Sequence, residues 1–195
     1  MSVEFCTSKT KENLMRAFAS ECQAHLKYQL AAEAARQQKL YVIADLFETT
    51  ADQEKEHAQV FYNHLSECSG QTVTVNANFP VAVGQDICEL LRAAIANEAH
   101  EHGELYPHFA EVARNEGFED IAAHFEMTAS IENTHEQKFT EYLDLLSDGK
   151  LFSSDQSERW VCTNCGYIYE GSSAPEQCPV CGEAQGYYLR ENMSN

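Results

Sequence analysis

The chain has 195 residues and 44% apolar content, enough for a real core and for one or two domains. Its formal net charge of −18, from 13 Lys and Arg against 31 Asp and Glu, repels polyanions and makes nucleic acid a poor partner. Nothing resembles a membrane span, and Met1–Thr7 has no basic segment followed by an apolar one, so a cytoplasmic location is expected.

The spacing predicts a first helix over 10–38, with Leu14, Phe18, Glu21, Ala24, Tyr28, Ala31 and Ala35 recurring at steps of three and four. Glu21 is the one charge in that stripe. A second helix follows over 41–65, with Ile43, Phe47, Thr50, Glu54, His57 and Phe61 on one face. Residues 66–84 then break the pattern with Ser69-Gly70, Thr72-Val73-Thr74-Val75, Phe79-Pro80 and Gly84, which reads as a long extended crossover rather than a tight up-and-down turn. The third helix, over 85–115, presents Ile87, Leu91, Ala94, Glu98, Glu101, Leu105 and Phe109. Pro107 cannot donate to the carbonyl of Gly103, so a kink or bulge is expected one turn beyond Glu101. Gly117 ends that helix and Phe118 starts a fourth, whose stripe is Ile121, Phe125, Thr128, Glu132, His135, Phe139, Tyr142 and Leu146. The expected organisation is a helical domain over 1–147, a polar linker over 148–158 and a small module over 159–195. So short a module needs a metal or disulfides to fold.

Carboxylates are almost never buried unless paired or metal-bound, yet each of the four stripes carries a Glu at mid-height. Glu54 and His57 form a Glu-x-x-His pair, and Glu132 and His135 repeat it. Two such pairs plus a lone Glu on each of the other helices, here Glu21 and Glu98, are the donor set of a dimetal carboxylate site in a bundle core. Carboxylate plus imidazole suits iron or manganese. Glu101, three residues after Glu98, is either a further ligand or a hydrogen-bonding neighbour. If it shares a metal with His57, the harder carboxylate favours the ferric ion and the imidazole the ferrous one, which suggests a redox-linked exchange. Tyr28 and Tyr106 are in phase to hydrogen-bond a ligating carboxylate, although each also reads as a core aromatic. His25 and His102 fall at the edge of the site, and His64, His100, His108 and His124 at the surface or rim.

Of eight cysteines, Cys162, Cys165, Cys178 and Cys181 form two Cys-x-x-Cys pairs, a four-thiolate metal signal open to zinc or iron. The glycines after each pair, Gly166 and Gly182, let backbone N–H groups approach the sulfurs, as a redox iron requires. Cys6, Cys22, Cys68 and Cys88 are scattered in the manner of free thiols in a reducing compartment.

Taken together, the chain resembles the rubrerythrin family over nearly its whole length, with Cys-Thr-Asn-Cys-Gly-Tyr-Ile-Tyr-Glu-Gly and Cys-Pro-Val-Cys-Gly similar to the rubredoxin knuckles. The first helix departs from that family at Cys22, His25 and Leu26. The resemblance implies a mainly α fold, a ferritin-like four-helix bundle with its crossover between helices 2 and 3, plus a C-terminal rubredoxin-like metal-bound β module. It implies two non-haem irons on Glu21, Glu54, Glu98, Glu101, Glu132 and His135, with Glu54 and Glu132 bridging and His57 replacing Glu101 on reduction. One further iron is implied at the four cysteines. The implied activity is reduction of hydrogen peroxide with electrons from an external rubredoxin or a reductase supplied by reduced nicotinamide, in a head-to-tail homodimer. Iron oxidation and storage, or dioxygen reduction beside a zinc-bound module, are the competing readings. The linker reaches roughly 38 Å when extended, so the module can fold back or cross to a partner.

Overall fold

The structure is a computed structural model that describes residues 3–193; Met1 and Ser2, the start of the segment read above for a leader, and residues 194–195 lie outside it. Helix α1 spans Lys9–Gln37, α2 Tyr41–His64, α3 Ile87–His100, α4 Tyr106–Glu116 and α5 Glu119–Ser147. Local chemistry sets their ends. The Ser8 side chain accepts from Lys11 N–H at the start of α1, Asp86 accepts from Glu89 N–H at the start of α3, and Gly117, at φ 94°, takes the left-handed turn that closes α4.

Between α3 and α4 lies one π-helical turn, Glu101–Leu105, with helical backbone on both sides, so residues 87–116 run as a single helix. The irregularity expected from Pro107 is present, but it begins at Glu101 itself rather than a turn beyond. Pro107 sits in the first turn of α4, where its missing N–H is tolerated, and the wider turn before it absorbs the lost bond. Residues 69–86 contain no helix or strand, and Val81 and Val83 within them are 87% and 93% exposed.

Helix α1 packs against α2, and α3 and α4 pack against α5. The apolar interior falls into two clusters. One is built around Ala24, Phe47, Leu91 and Phe139, the other around Leu14, Phe61, Tyr106 and Phe125. Along every helix the buried Glu lies between a residue of one cluster and a residue of the other, so the carboxylates occupy a polar layer sandwiched by core.

Cys6 and Cys68 are joined by a disulfide, which corrects the expectation that both are free thiols; Cys22 and Cys88 are free. Sequence separation of 62 residues hid the pair. The fold brings the short turn Phe5–Thr7 against the turn Ser66–Cys68 that follows α2. The scattered cysteines therefore no longer argue for a reducing compartment.

The C-terminal module is an antiparallel sheet in the order β2-β1-β3, with β1 Ser153–Cys162, β2 Ile168–Ser173 and β3 Tyr188–Arg190. Residues 153–158, expected as linker, are the first part of β1: Ser153 and Glu158 pair with Ser173 and Gly171 of β2, and the residues between them form an irregular bulge. Trp160 is fully buried and its Nε1–H donates to the Gly171 carbonyl at 2.9 Å. The module rests on the α1–α2 turn. Tyr187 stacks on Tyr41 with ring centroids 4.0 Å apart, Leu189 joins the bundle core, and Gly186 leaves no room for a Cβ against the Lys39 carbonyl. Among the described residues, no helix is long and apolar enough to cross a membrane.

Candidate metal centres

The polar layer brings Glu21, Glu54, Glu98, Glu132, His57 and His135 together, all buried. They form two groups with one donor atom from each residue, all within 4.8 Å: Glu21, Glu54, His57 and Glu132, and Glu54, Glu98, Glu132 and His135. Glu54 and Glu132 belong to both. His57 Nδ1 lies 2.9 Å from Glu54 and 3.0 Å from Glu132, and His135 Nδ1 lies 2.7 Å from Glu132 and 3.1 Å from Glu54.

The second atoms of these side chains are pinned from outside. Tyr28 on α1 donates to Glu98 Oε1 on α3, and Tyr106 on α4 donates to Glu21 Oε1 on α1. Both tyrosines therefore hydrogen-bond a carboxylate, as well as belonging to the core clusters. His135 Nε2 lies 2.9 Å from Gln53 Oε1, so Nε2–H donates outward and Nδ1 faces the carboxylates, where a bound metal would take the place of its proton.

Those inward-facing atoms are orphaned. Glu21 Oε2, Glu54 Oε1, Glu98 Oε2, both oxygens of Glu132 and His135 Nδ1 are buried without a hydrogen-bond partner. Closely spaced donor atoms with no hydrogen-bond geometry between them suit shared cations, since burying them unpaired is otherwise costly. The residues present thus fit a dimetal centre.

Electrostatics agrees. Burial, reinforced by neighbouring carboxylates, pushes Glu21 well above the usual range, and burial does the same to Glu98. Glu132 faces the same burial but is drawn down to about 2 by the His135 and His57 rings beside it. Burial works against protonating the two histidines. Contact with Glu132 and Glu54 outweighs it and lifts His57 to about 9 and His135 to about 12.

Glu101 lies beside this set but belongs to neither group. It is 1% exposed, and its carboxylate accepts from Ser20 Oγ at 2.5 Å and from Asn97 Nδ2 at 2.9 Å. Burial, followed by the charge of Glu132, raises its pKa to about 8. His57, at 9% exposure, borders a surface opening lined by Asp52, Gln53, Glu56 and Ile131.

Ser20, Gln53 and Asn97 were not singled out from the sequence. Asn97 had a usable signal, since it stands four residues before Glu101 on the same helix; Ser20 and Gln53 act on residues of other helices and had none. The remaining histidines are peripheral. His25 Nδ1 meets the Ala51 carbonyl at 2.7 Å, His102 pairs with Glu136 at 2.6 Å, and His100 lies 3.3 Å from Glu104.

In the module, Cys162, Cys165, Cys178 and Cys181 converge, with Sγ–Sγ distances of 3.7 Å for 162–181 and for 165–178. A tetrahedron with bonds of about 2.3 Å has edges of about 3.75 Å, so the cage fits one ion. Gly166 and Gly182 adopt φ of 76° and 79°, left-handed turns that aim the N–H of Tyr167 at Cys165 and that of Glu183 at Cys181. N–H groups of Asn164 and Cys165 address Cys162, and those of Val180 and Cys181 address Cys178. Such donors stabilise thiolate charge.

A family model described as Rubrerythrin matches residues 12–143, and one described as rubrerythrin, rubredoxin-like domain, matches residues 160–188. The rubrerythrin of Clostridium perfringens is 41% identical over 182 residues, 93% of each chain. That of Nitratidesulfovibrio vulgaris is 38% identical over 181 residues, again 93% of each. A solved nigerythrin in a mixed-valence state superposes with a TM-score of 0.63 at 29% identity, covering 97% of this chain and 91% of its own. A mycobacterial bacterioferritin reaches 0.65 at 20% identity over 76% and 89%, a likeness of fold alone. The chain therefore belongs to the rubrerythrin family, with a diiron site of carboxylate and histidine ligands in a ferritin-like bundle and a four-cysteine site in a rubredoxin-like module.

Proposed function

We propose that the protein is a peroxidase that reduces hydrogen peroxide to two waters, with electrons relayed through its four-thiolate iron. One observation carries this reading: a buried dimetal cluster and a single-electron thiolate module occur in the same chain. An iron-storage protein needs no built-in electron donor. When bound, the paired irons supply the two electrons that O–O cleavage consumes, and the thiolate iron restores them singly.

The chain's residues divide the remaining work. Glu54 and Glu132, common to both groups, would be shared between two irons, and Glu21, Glu98 and His135 would complete the set, with Glu101 beside it as a further ligand. Tyr28 and Tyr106 keep their hydroxyl protons, because burial and the nearby carboxylates raise both well above the usual phenol range, and so hold Glu98 and Glu21 in fixed orientations. Glu101 and His57 would alternate as ligands with redox state: in this structure Glu101 hydrogen-bonds Ser20 and Asn97, while His57 faces Glu54 and Glu132. The opening beside His57 is the route for peroxide. A retracted Glu101, with its raised pKa, is the residue placed to carry a proton for the departing oxygen.

A head-to-tail homodimer, a cytoplasmic location and an external donor, a rubredoxin or a nicotinamide-dependent reductase, belong to the same proposal. The module leans on Tyr41, about 20 Å along α2 from Glu54. The test is rapid mixing of fully reduced protein with peroxide and, separately, with dioxygen. Re-oxidation of the diiron site is expected to be far faster with peroxide. Equal or slower peroxide rates identify an oxidase or ferroxidase instead.

A further inference from the structure

Where α2 ends and α5 begins, the bundle carries a group of side chains that the peroxidase reading does not use. His64 is the last residue of α2, and its Nε2 lies 2.8 Å from Nδ1 of His124 on α5, with both rings half-buried. Asp120, one turn before His124, acts on His64 through its charge and shares with it an open depression of about 480 Å³ that also holds Glu67. We propose that His64, His124 and Asp120 form a binding site for one divalent first-row transition ion, separate from the diiron and four-thiolate centres.

The geometry is close to that of a chelate. Two imidazole nitrogens on one tetrahedral ion, bonded at about 2.0–2.1 Å, stand about 3.4 Å apart. Opening the 2.8 Å contact by about half an ångström exchanges the shared proton for a metal. That proton moves to the outer nitrogen of its own ring, so both imidazoles remain neutral and two lone pairs turn inward. Burial, together with the adjacent His124, holds His64 below the ordinary histidine range, which keeps it neutral at pH 7. Asp120 and His124 are four residues apart on one helix and share a face, so rotation of the Asp120 side chain would bring its carboxylate towards the histidine pair as a third donor.

The donor set selects the ion. Two nitrogens and one oxygen suit zinc, cobalt, nickel or copper, whereas magnesium and calcium demand oxygen. Ordered backbone supports the ligands, since the disulfide of Cys68 to Cys6 anchors the turn directly after His64. The site stands about 34 Å along α2 from the contact with the thiolate module, and about 10 Å from His57.

Zinc titrated into the iron-loaded protein, followed by calorimetry with iron and zinc content measured before and after, tests the assignment. One zinc per chain is expected to bind without loss of iron or of the ferric-thiolate colour. Its affinity should fall about tenfold or more in His64→Gln and equally in His124→Gln, and less in Asp120→Asn. Iron content and thermal unfolding report whether each variant is folded, and two independent histidine variants guard against loss of one. Absence of a zinc equivalent, zinc uptake matched by iron loss, or undiminished binding in both histidine variants overturns the site.

Discussion

His135 donates its Nε2–H to Gln53 at 2.9 Å across the α2–α5 contact, and this one bond decides which nitrogen of the ring is free to bind metal. Gln53 immediately precedes Glu54, so one turn of α2 supplies both a carboxylate of the cluster and the group that orients the opposite histidine. Gln53→Ala leaves the ring free to take either tautomer. Iron affinity at the bundle site is expected to drop about tenfold, while the thiolate iron, in a separate module, stays loaded. Iron counted after dialysis against a graded chelator checks this, and an unchanged bundle site removes Gln53 from the metal's support.

Tyr106→Phe deletes a buried donor and leaves Glu21 Oε1 without a partner, joining Glu21 Oε2, which already has none. Stranding a buried acceptor costs about 1–3 kcal/mol. The full loss is expected in metal-free protein, and a smaller one when metal engages the carboxylate. Denaturant melts of both forms, compared with the parent, give the two differences; no loss in either form would show that the tyrosine serves packing alone.

The four helical stripes were legible because burial in a bundle repeats every 3.6 residues, and a Glu in such a stripe is chemically out of place. Glu54, His57, Glu132 and His135 stood out for that reason, and the structure gathers them with Glu21 and Glu98. What stayed hidden depends on non-local geometry. Nothing near Cys6 indicates Cys68, and nothing near Ser20 indicates that its hydroxyl meets Glu101, 81 residues away. Ser153 to Glu158 look like linker because their side chains are polar, whereas a strand in this position is fixed by backbone pairing to β2. Pro107 announced an irregular turn, but its placement at Glu101 follows from where the π-helical turn can be accommodated beside Glu98.

Metal-free protein is expected to lose stability as pH rises from about 5 to about 9. Burial lifts Glu101 from 4.5 to about 8, and contact with Glu132 and Glu54, overcoming burial, lifts His57 from 6.5 to about 9. A group whose folded value is raised binds more protons folded than unfolded, so its contribution is complete below the unfolded value and vanishes through the folded one. Both shifts point the same way over this window. Glu132, drawn down to about 2, acts in the opposite sense but only at lower pH. The melting temperature of chelator-stripped protein should therefore decline towards alkaline pH, and iron bound among these side chains should flatten the curve by keeping them deprotonated. A rise in the apo melting temperature over the same range contradicts the assignment.

The Cys6–Cys68 disulfide closes a loop with a sequence separation of 62, for which the chain-entropy relation gives about 4 kcal/mol of stabilisation as an upper figure. The paired Cys6→Ser, Cys68→Ser variant should unfold at lower denaturant than the parent, and mild reductant should bring the parent to the same midpoint. Reductant must be tested with the thiolate iron in place, because loss of that metal unfolds a different part of the chain. An unchanged midpoint in the paired variant would mean that the bond forms without constraining the unfolded chain.

Gly186 is the tightest point between module and bundle. Its Cα faces the Lys39 carbonyl, and Lys39 is itself held at φ 61°, so neither backbone can yield without disturbing the α1–α2 turn. Gly186→Ala forces the two apart, at a typical overpacking cost of about 1–3 kcal/mol. The sulfur cage has its own core of Trp160, Cys162, Ala174, Cys178 and Tyr188, which meets this contact only through Tyr187. The variant should keep the ferric-thiolate spectrum and its bundle iron while β1 and the preceding turn become more readily cleaved by protease. If electrons reach the diiron site from a partner's module, steady peroxide turnover falls together with this loss of docking, whereas single-turnover oxidation of pre-reduced protein is unchanged. Equal loss of both rates would place the defect in the bundle rather than in the approach of the module.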